Sequence, residues 1–253
     1  EPNLNLDYAI DLMHMLSANK INCPTPLKTK EGLSVTNVKN KPCSIFTLLP
    51  GKTISKNTPT IDMCKQIGST IGKIHNCSRK FKRFDLGLRN SDWFISTSKK
   101  LEPVLIIEDI KLIKKEIENL IYCMNKGLPS GVIHSDLFRD NAMFLDNNLT
   151  GVIDFYYACN GYFLYDLAII INDWCLNEDL KIDLKKQDAL IEYYNKERKI
   201  ENIEVNMWAK VLRHAALRFW LSRLHDKFVP TDGEITHQLD PDKFKLILLD
   251  RIN

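Results

Sequence analysis

The segment from Val132 to Phe155, VIHSDLFRDNAMFLDNNLTGVIDF, alternates short apolar stretches with polar turns in a way that no continuous helix can absorb. Its apolar runs, near residues 131 to 134, 142 to 145 and 150 to 154, are set off by Asp, Asn and Gly, which marks short strands joined by tight turns. The flanking chain keeps a different period. Apolar residues recur at helical spacing over residues 4 to 19, 60 to 76, 104 to 126, 162 to 177, 183 to 197, 203 to 228 and 241 to 251. The first helix is stopped by the CPTP run Cys23 to Pro26, because proline lacks an N–H and pushes its predecessor toward extended geometry. From Leu27 to Leu49 the pattern is of short β-rich stretches turning at Gly32 and at Asn40 and Lys41. SIFTLL, residues 44 to 49, is the best candidate for a buried strand, and Pro50 and Gly51 end it. Strands followed by a run of helices predict an α+β protein of two lobes with a cleft between them.

Composition narrows the function classes. With 44% hydrophobic and 26% charged residues the chain is an ordinary globular sequence. Its net charge of +3, from 35 basic against 32 acidic residues, is too balanced to imply a nucleic-acid surface. Apolar runs stop at about five residues, as in Leu167 to Ile171, far short of the ~20 a membrane span needs. Seven cysteines, odd in number and never in a CxxC pair, predict reduced thiols in a cytoplasm, with neither a disulfide framework nor a zinc knuckle.

Within the strand-rich segment, His134, Asp136, Asn141 and Asp154 form the pattern HxDxxxxN followed thirteen residues later by Asp. That is the spacing of a kinase catalytic loop and its metal-binding aspartate. Phosphoryl transfer to an alcohol needs a group to orient the hydroxyl and cations to neutralise the phosphates. Asp136 suits the first task. Asn141 and Asp154 offer the hard oxygen donors that Mg²⁺ prefers. Taken singly, each residue is equally a solvated turn residue; three at this spacing, each beside an apolar strand, favour a site. His134 is expected to tie the loop by hydrogen bonds. Asp140 reads equally as loop solvation. Asp166, at the head of an apolar helix where negative charge is favoured, is expected to brace the catalytic loop. PGKT at 50 to 53 fails the phosphate-loop pattern, which needs glycine at the position held by Phe46. His75 is expected to pack or cap at a helix end.

The HSDLFRDN and VIDF segments, with YDLA at 165 to 168, resemble the aminoglycoside-phosphotransferase and choline-kinase-like superfamily. The longer runs DFYYACN, NDWC, ALRFWLSRL and HQLDPDKFKLILLDR resemble its homoserine kinases. The resemblance covers essentially all 253 residues. It implies a protein-kinase-like fold, with ATP and Mg²⁺ as cofactors. Residues 1 to 50 would be the remainder of a truncated small lobe with a hinge at its end, and residues 51 to 253 a helical lobe holding the catalytic loop. Asp136 would be the catalytic base, Asn141 and Asp154 the Mg²⁺ ligands, and the backbone of Phe46, Thr47 and Leu48 the hinge facing the adenine. The family's N-terminal hairpin carries a phosphate-covering loop and a lysine. The chain starts at Glu1, after both, so it is expected to be a processed or partial form with weak activity of its own. Asp11 is the candidate partner for that lysine.

Homoserine is a small zwitterion with a primary hydroxyl. Its ammonium calls for a carboxylate and its carboxylate for a guanidinium, since an unpaired buried charge is expensive. Asp173, seven residues after Asp166 and on the same helix face, is the expected ammonium partner. Arg218 or Arg223, which interrupt an otherwise apolar helix, is the expected carboxylate partner, although solvated charges on an amphipathic helix account for either arginine nearly as well. The sequence thus predicts ATP-dependent phosphorylation of homoserine, feeding threonine synthesis, with small molecules as partners and neither nucleic acid nor membrane. Two alternatives stay open: another small alcohol as acceptor (choline, an aminoglycoside or a sugar-like compound), and a kinase-like binding module without turnover.

Overall fold

The computed structural model describes residues 5–54, 58–124, 126–229 and 239–253. Leu4 at the head of the expected first helix, and His237 and Gln238 in the last resemblance run, lie outside the described residues. The chain groups into two compact units, each drawn from separate stretches of sequence. The expected boundary at residue 50 falls inside the first unit.

The first unit takes Glu1–Gly87, Ser130–Gly161 and Leu184–Lys199. Its helices are α1 (Leu6–Ala18), α2 (Ile61–Cys77) and α6 (Leu184–Glu197). Asn5 caps α1 by accepting the N–H of Tyr8, and Thr60 caps α2 by accepting that of Met63, so both starts follow the ordinary rule for side-chain oxygens at a helix head. α2 buries Ile67, Ile71 and Ile74 against α6, which contributes Leu190 and Tyr194. The approach is close: a Cβ on Gly68 would lie 2.2 Å from the carbonyl oxygen of Leu190, and one on Gly72 2.7 Å from the Cβ of Glu197. Four strands belong to small sheets at the catalytic segment: β4 (Ser130–Ile133), β5 (Ala142–Leu145), β6 (Asn148–Val152) and β7 (Cys159–Tyr162). β5 lies between β6 and the two-residue β3 (Lys52–Thr53), antiparallel to both, while β4 pairs with β7. The hairpin of β1 (Thr36–Val38) and β2 (Lys41–Cys43) turns on Lys39 and Asn40, both at positive φ, as a two-residue turn of this kind requires.

One strand expectation fails. SIFTLL is not a buried strand: Phe46 makes a single bridge to Pro26, and Ile45 and Leu48 are 71% and 95% exposed. Its backbone bonds to the chain just before it, Leu27 N–H to Ile45 and Thr47 N–H to Thr25, and Leu49 at its end lies against Gly151 of β6.

The second unit takes Leu88–Pro129, Tyr162–Asp183 and Ile200–Asn253. It contains α3 (Ser91–Leu101), α4 (Ile107–Met124), α5 (Phe163–Trp174), α7 (Asn202–Phe228) and α8 (Asp242–Ile252). All twelve residues of α5 are buried, which makes it the central helix of the unit, since a helix covered on every side needs neighbours all round. Polar side chains tie the others to it and to one another. Asn172 of α5 donates to the carbonyl of Leu212 on α7 at 2.8 Å, and Arg213 of α7 grips both carboxylate oxygens of the buried Glu116 of α4 through Nε and Nη2. Sequence periodicity did not find α3. Its signal was there in the N-cap Asn90, the first-turn Asp92 and the last-turn Lys99 and Lys100.

Candidate active site

β4 delivers His134 to its end, and the chain then leaves the strand through Ser135, a buried non-glycine residue at φ +66°. This left-handed step reverses the backbone. His134 is fully buried and works from both ring nitrogens: Nδ1 accepts the N–H of Asp136 at 3.3 Å, so Nε2 carries the proton that it donates to the carbonyl of Ile153 at 2.9 Å. Its ring rests against Phe155, with centroids 4.8 Å apart. The histidine therefore links the Asp136 loop to the strand end that carries Asp154.

Asn141 closes the loop from the other side. Its Nδ2 donates to the backbone carbonyl of Asp136 at 2.8 Å and reaches its carboxylate at 3.4 Å. Only the nitrogen of the amide can donate to two acceptors, so the side-chain oxygen takes part in neither bond. Its backbone carbonyl accepts the N–H of Ile153 at 2.9 Å, which fixes the loop to β6 a second time. Asp154 follows β6 at φ +64° and ψ +62° and heads a single 3₁₀ turn, Phe155–Tyr157. The residue keeps an exposed surface, yet its carboxyl is pushed above the usual carboxylate range, first by loss of solvent and then by Asp136; His134 and the N–H of Tyr156 pull the other way. A carboxylate held uncomfortably beside another is one that a divalent cation would stabilise.

The structure thus brings His134, Asp136, Asn141 and Asp154 together within the first unit. Asp140 is exposed. Thr47 has its N–H committed to Thr25, and its hydroxyl accepts the N–H of Thr25. Asp11 is ion-paired with Arg83. His75 is buried and packed, its Nδ1 2.8 Å from the hydroxyl of Tyr194, which also accepts a bond from Arg198. In the second unit Asp166 is fully buried in the first turn of α5. Asp173 is buried with the ammonium of Lys243 3.9 Å away. Arg218 is buried with its guanidinium 3.8 Å over the ring of Phe219, and Arg223 donates to the carbonyl of Asp240. Sequence reasoning missed Ser135, because only its backbone angle is special and serine does not announce it.

Known proteins place this geometry. A model of the phosphotransferase enzyme family matches residues 2–200. The homoserine kinase of Methylobacillus flagellatus is 38% identical over 239 residues, 94% of this chain and 74% of that protein. The chain belongs to the homoserine kinases of the phosphotransferase family. The homoserine kinase of Neisseria meningitidis serogroup B is 34% identical over 244 residues, covering 96% of this chain and 79% of that one. Among solved structures, an amicoumacin kinase in complex with AMP-PNP and Ca²⁺ superposes with a TM-score of 0.71 at 14% identity, over 98% of this chain and 76% of that one. A microcompartment-associated aminopropanol kinase gives 0.66 at 16% identity, over 98% and 78%. At such identities these neighbours establish the α+β kinase-like fold. The chain is thus a phosphotransferase acting on an alcohol group. Among the described residues no helix is long and apolar enough to cross a membrane.

Proposed function

We infer that the chain transfers the terminal phosphoryl group of ATP to the hydroxyl of L-homoserine, giving O-phospho-L-homoserine. The observation that carries the site assignment is the double use of Asn141, whose amide nitrogen braces Asp136 and whose backbone carbonyl holds Ile153, the residue before Asp154. Asp136 accepts the hydrogen bond of the attacking hydroxyl and takes its proton as the O–P bond forms. Asn141 and Asp154 would hold Mg²⁺: an amide oxygen and a carboxylate are the hard donors this cation prefers, with water and phosphate to complete its shell. When bound, the ion neutralises phosphate charge. His134 keeps Asp136 and Asp154 in register, and Asp166, at the head of α5, is assigned a bracing role. The backbone of Phe46, Thr47 and Leu48 faces the adenine.

For the acceptor, we assign Asp173 to the ammonium and one of Arg218 and Arg223 to the carboxylate. In its favour, the buried Asp173 already has one primary ammonium, that of Lys243, at 3.9 Å. Relatives at 32–38% identity carry the name homoserine kinase. A panel of L-homoserine, choline and an aminoglycoside, followed as acceptor-dependent ADP release, tests the assignment. Homoserine should be preferred, and Asp173→Asn should raise its KM. Choline outpacing homoserine would reject this acceptor.

A further inference from the structure

Apart from the catalytic loop, the first unit holds a cavity of about 350 Å³, set between the turn after α1, one face of α2, β6 and α6. That volume lies within the range of small-molecule sites, roughly 300–1,000 Å³. Neither Asp136, Asn141 nor Asp154 lines it. Ile21 and Leu149 give it an apolar floor, and Thr70, Tyr193, Lys20 and Lys73 supply the polar groups.

The charges around it do not cancel. Lys73 has Glu197 at 3.7 Å. Lys65 and Lys196 flank the ring of Tyr193 at 5.8 and 3.5 Å and are paired with Asp62 and Glu192. Lys20 has no carboxylate in salt-bridge reach among the described residues, so one positive charge is left over at an opening that also offers two hydroxyls. A short carbon skeleton on the floor and an anionic group at the lysines would satisfy both halves.

The same wall leads to the catalytic loop. Gly151 lines the cavity, and a Cβ there would lie 2.7 Å from the carbonyl oxygen of Asn22. That carbonyl accepts the N–H of Val152 at 3.1 Å. The next residue, Ile153, is the one bonded to both Asn141 and His134, and Asp154 follows. A ligand that shifts the Asn22 turn therefore acts on the strand end holding Asp154. We propose that this cavity is a regulatory site for a small organic anion, a phosphate or carboxylate on a short apolar skeleton, whose occupancy changes nucleotide affinity through β6. It rests on the nucleotide role given to Asp154 above, and not on the identity of the acceptor.

The test titrates O-phospho-L-serine and, separately, L-malate into the enzyme by calorimetry, with AMP-PNP, Mg²⁺ and homoserine saturating the active site. AMP-PNP affinity is then measured with and without each anion. The two probes separate a phosphate from a carboxylate ligand. At least one should bind saturably, change AMP-PNP affinity threefold or more, and lose at least tenfold in affinity in the Lys20→Asn/Lys73→Gln variant. Asparagine tolerates the left-handed backbone at Lys20, φ +61°, so that variant removes charge without new strain. A second variant, Thr70→Trp, fills the cavity and should abolish binding with the lysines in place. Linkage requires AMP-PNP to change the affinity for the anion by the same factor. Failure of both probes to bind, binding that both variants leave unchanged, or binding without effect on AMP-PNP would overturn the proposal. Absence of AMP-PNP binding itself would overturn both this and the nucleotide assignment.

Discussion

At the scale of the residue, the site was legible because its chemistry is written in side-chain types at fixed spacing. Asp136, Asn141 and Asp154 could be picked out before any backbone was known. What could not be read was conformation: Ser135 and Asp154 occupy the left-handed region without being glycine, and such positions are held by their surroundings. Replacing Asp136 with Asn should lower kcat by about 10²–10⁴-fold, the usual worth of a positioned base, while AMP-PNP affinity is retained. Asp154 makes a different prediction. Its carboxyl holds a proton more tightly in the folded chain than in the unfolded one, so in metal-free protein its stabilising contribution is present below the unfolded pKa and is lost as pH rises through the folded one. At pH 7 it is a mild burden. Metal-free Asp154→Asn should therefore show a urea midpoint no lower than wild type, with activity gone. Asp154→Ala should lose about 1–2 kcal/mol to left-handed strain.

Elements were legible where they were long and periodic. Seven of the eight helices among the described residues were expected within a few residues of their ends, because an apolar face at 3.6-residue spacing is hard to mistake. α3 was missed, being short and rich in Ser and Thr, and SIFTLL was misplaced, since an apolar run does not reveal whether anything covers it. The packing of α2 on α6 was not legible either, although IGSTIG contains its means. A Gly68→Ala exchange in a free helix would gain about 1 kcal/mol. Here the added methyl meets backbone that no rotamer change can move, and overpacking costs about 1–3 kcal/mol. The net expectation is a loss of about 0–2 kcal/mol by urea unfolding, where a free helix would gain. In the second unit His214 of α7 is stacked on Tyr165 at 4.5 Å and meets Phe94 of α3 at 5.2 Å. Although the residue keeps some surface, burial, with Arg218 adding to it, pushes its pKa from 6.5 down to about 3. As pH falls the unfolded chain takes up that proton first, so the contribution is full above pH 6.5 and is lost between there and about 3. The slope is at most about 1.4 kcal/mol per pH unit. His214→Phe should shrink the difference between urea midpoints at pH 7 and pH 5.5.

On the scale of the whole molecule, the α+β class followed from strands followed by a run of helices and the kinase-like fold from the family resemblance, but the grouping of segments followed from neither. Periodicity is local, whereas the two units are assembled from three stretches each. All four tryptophans, at 93, 174, 208 and 220, lie in the second unit, so fluorescence reports that unit while far-UV circular dichroism reports both. The chain alternates between units through six successive segments, which joins them covalently at five points. The two signals should therefore give one coincident urea transition, and AMP-PNP, held by residues of the first unit, should raise the tryptophan midpoint with it. Separate midpoints would show that the units unfold independently.

The interleaving also sets an order of manufacture. A nascent chain that has just exposed its catalytic loop still lacks α6, the helix that seats α2, and it has emitted less than half of the second unit. Neither unit can close on itself before about residue 199 has left the ribosome. The unit that carries the candidate loop is thus finished only after more than three quarters of these residues have been made.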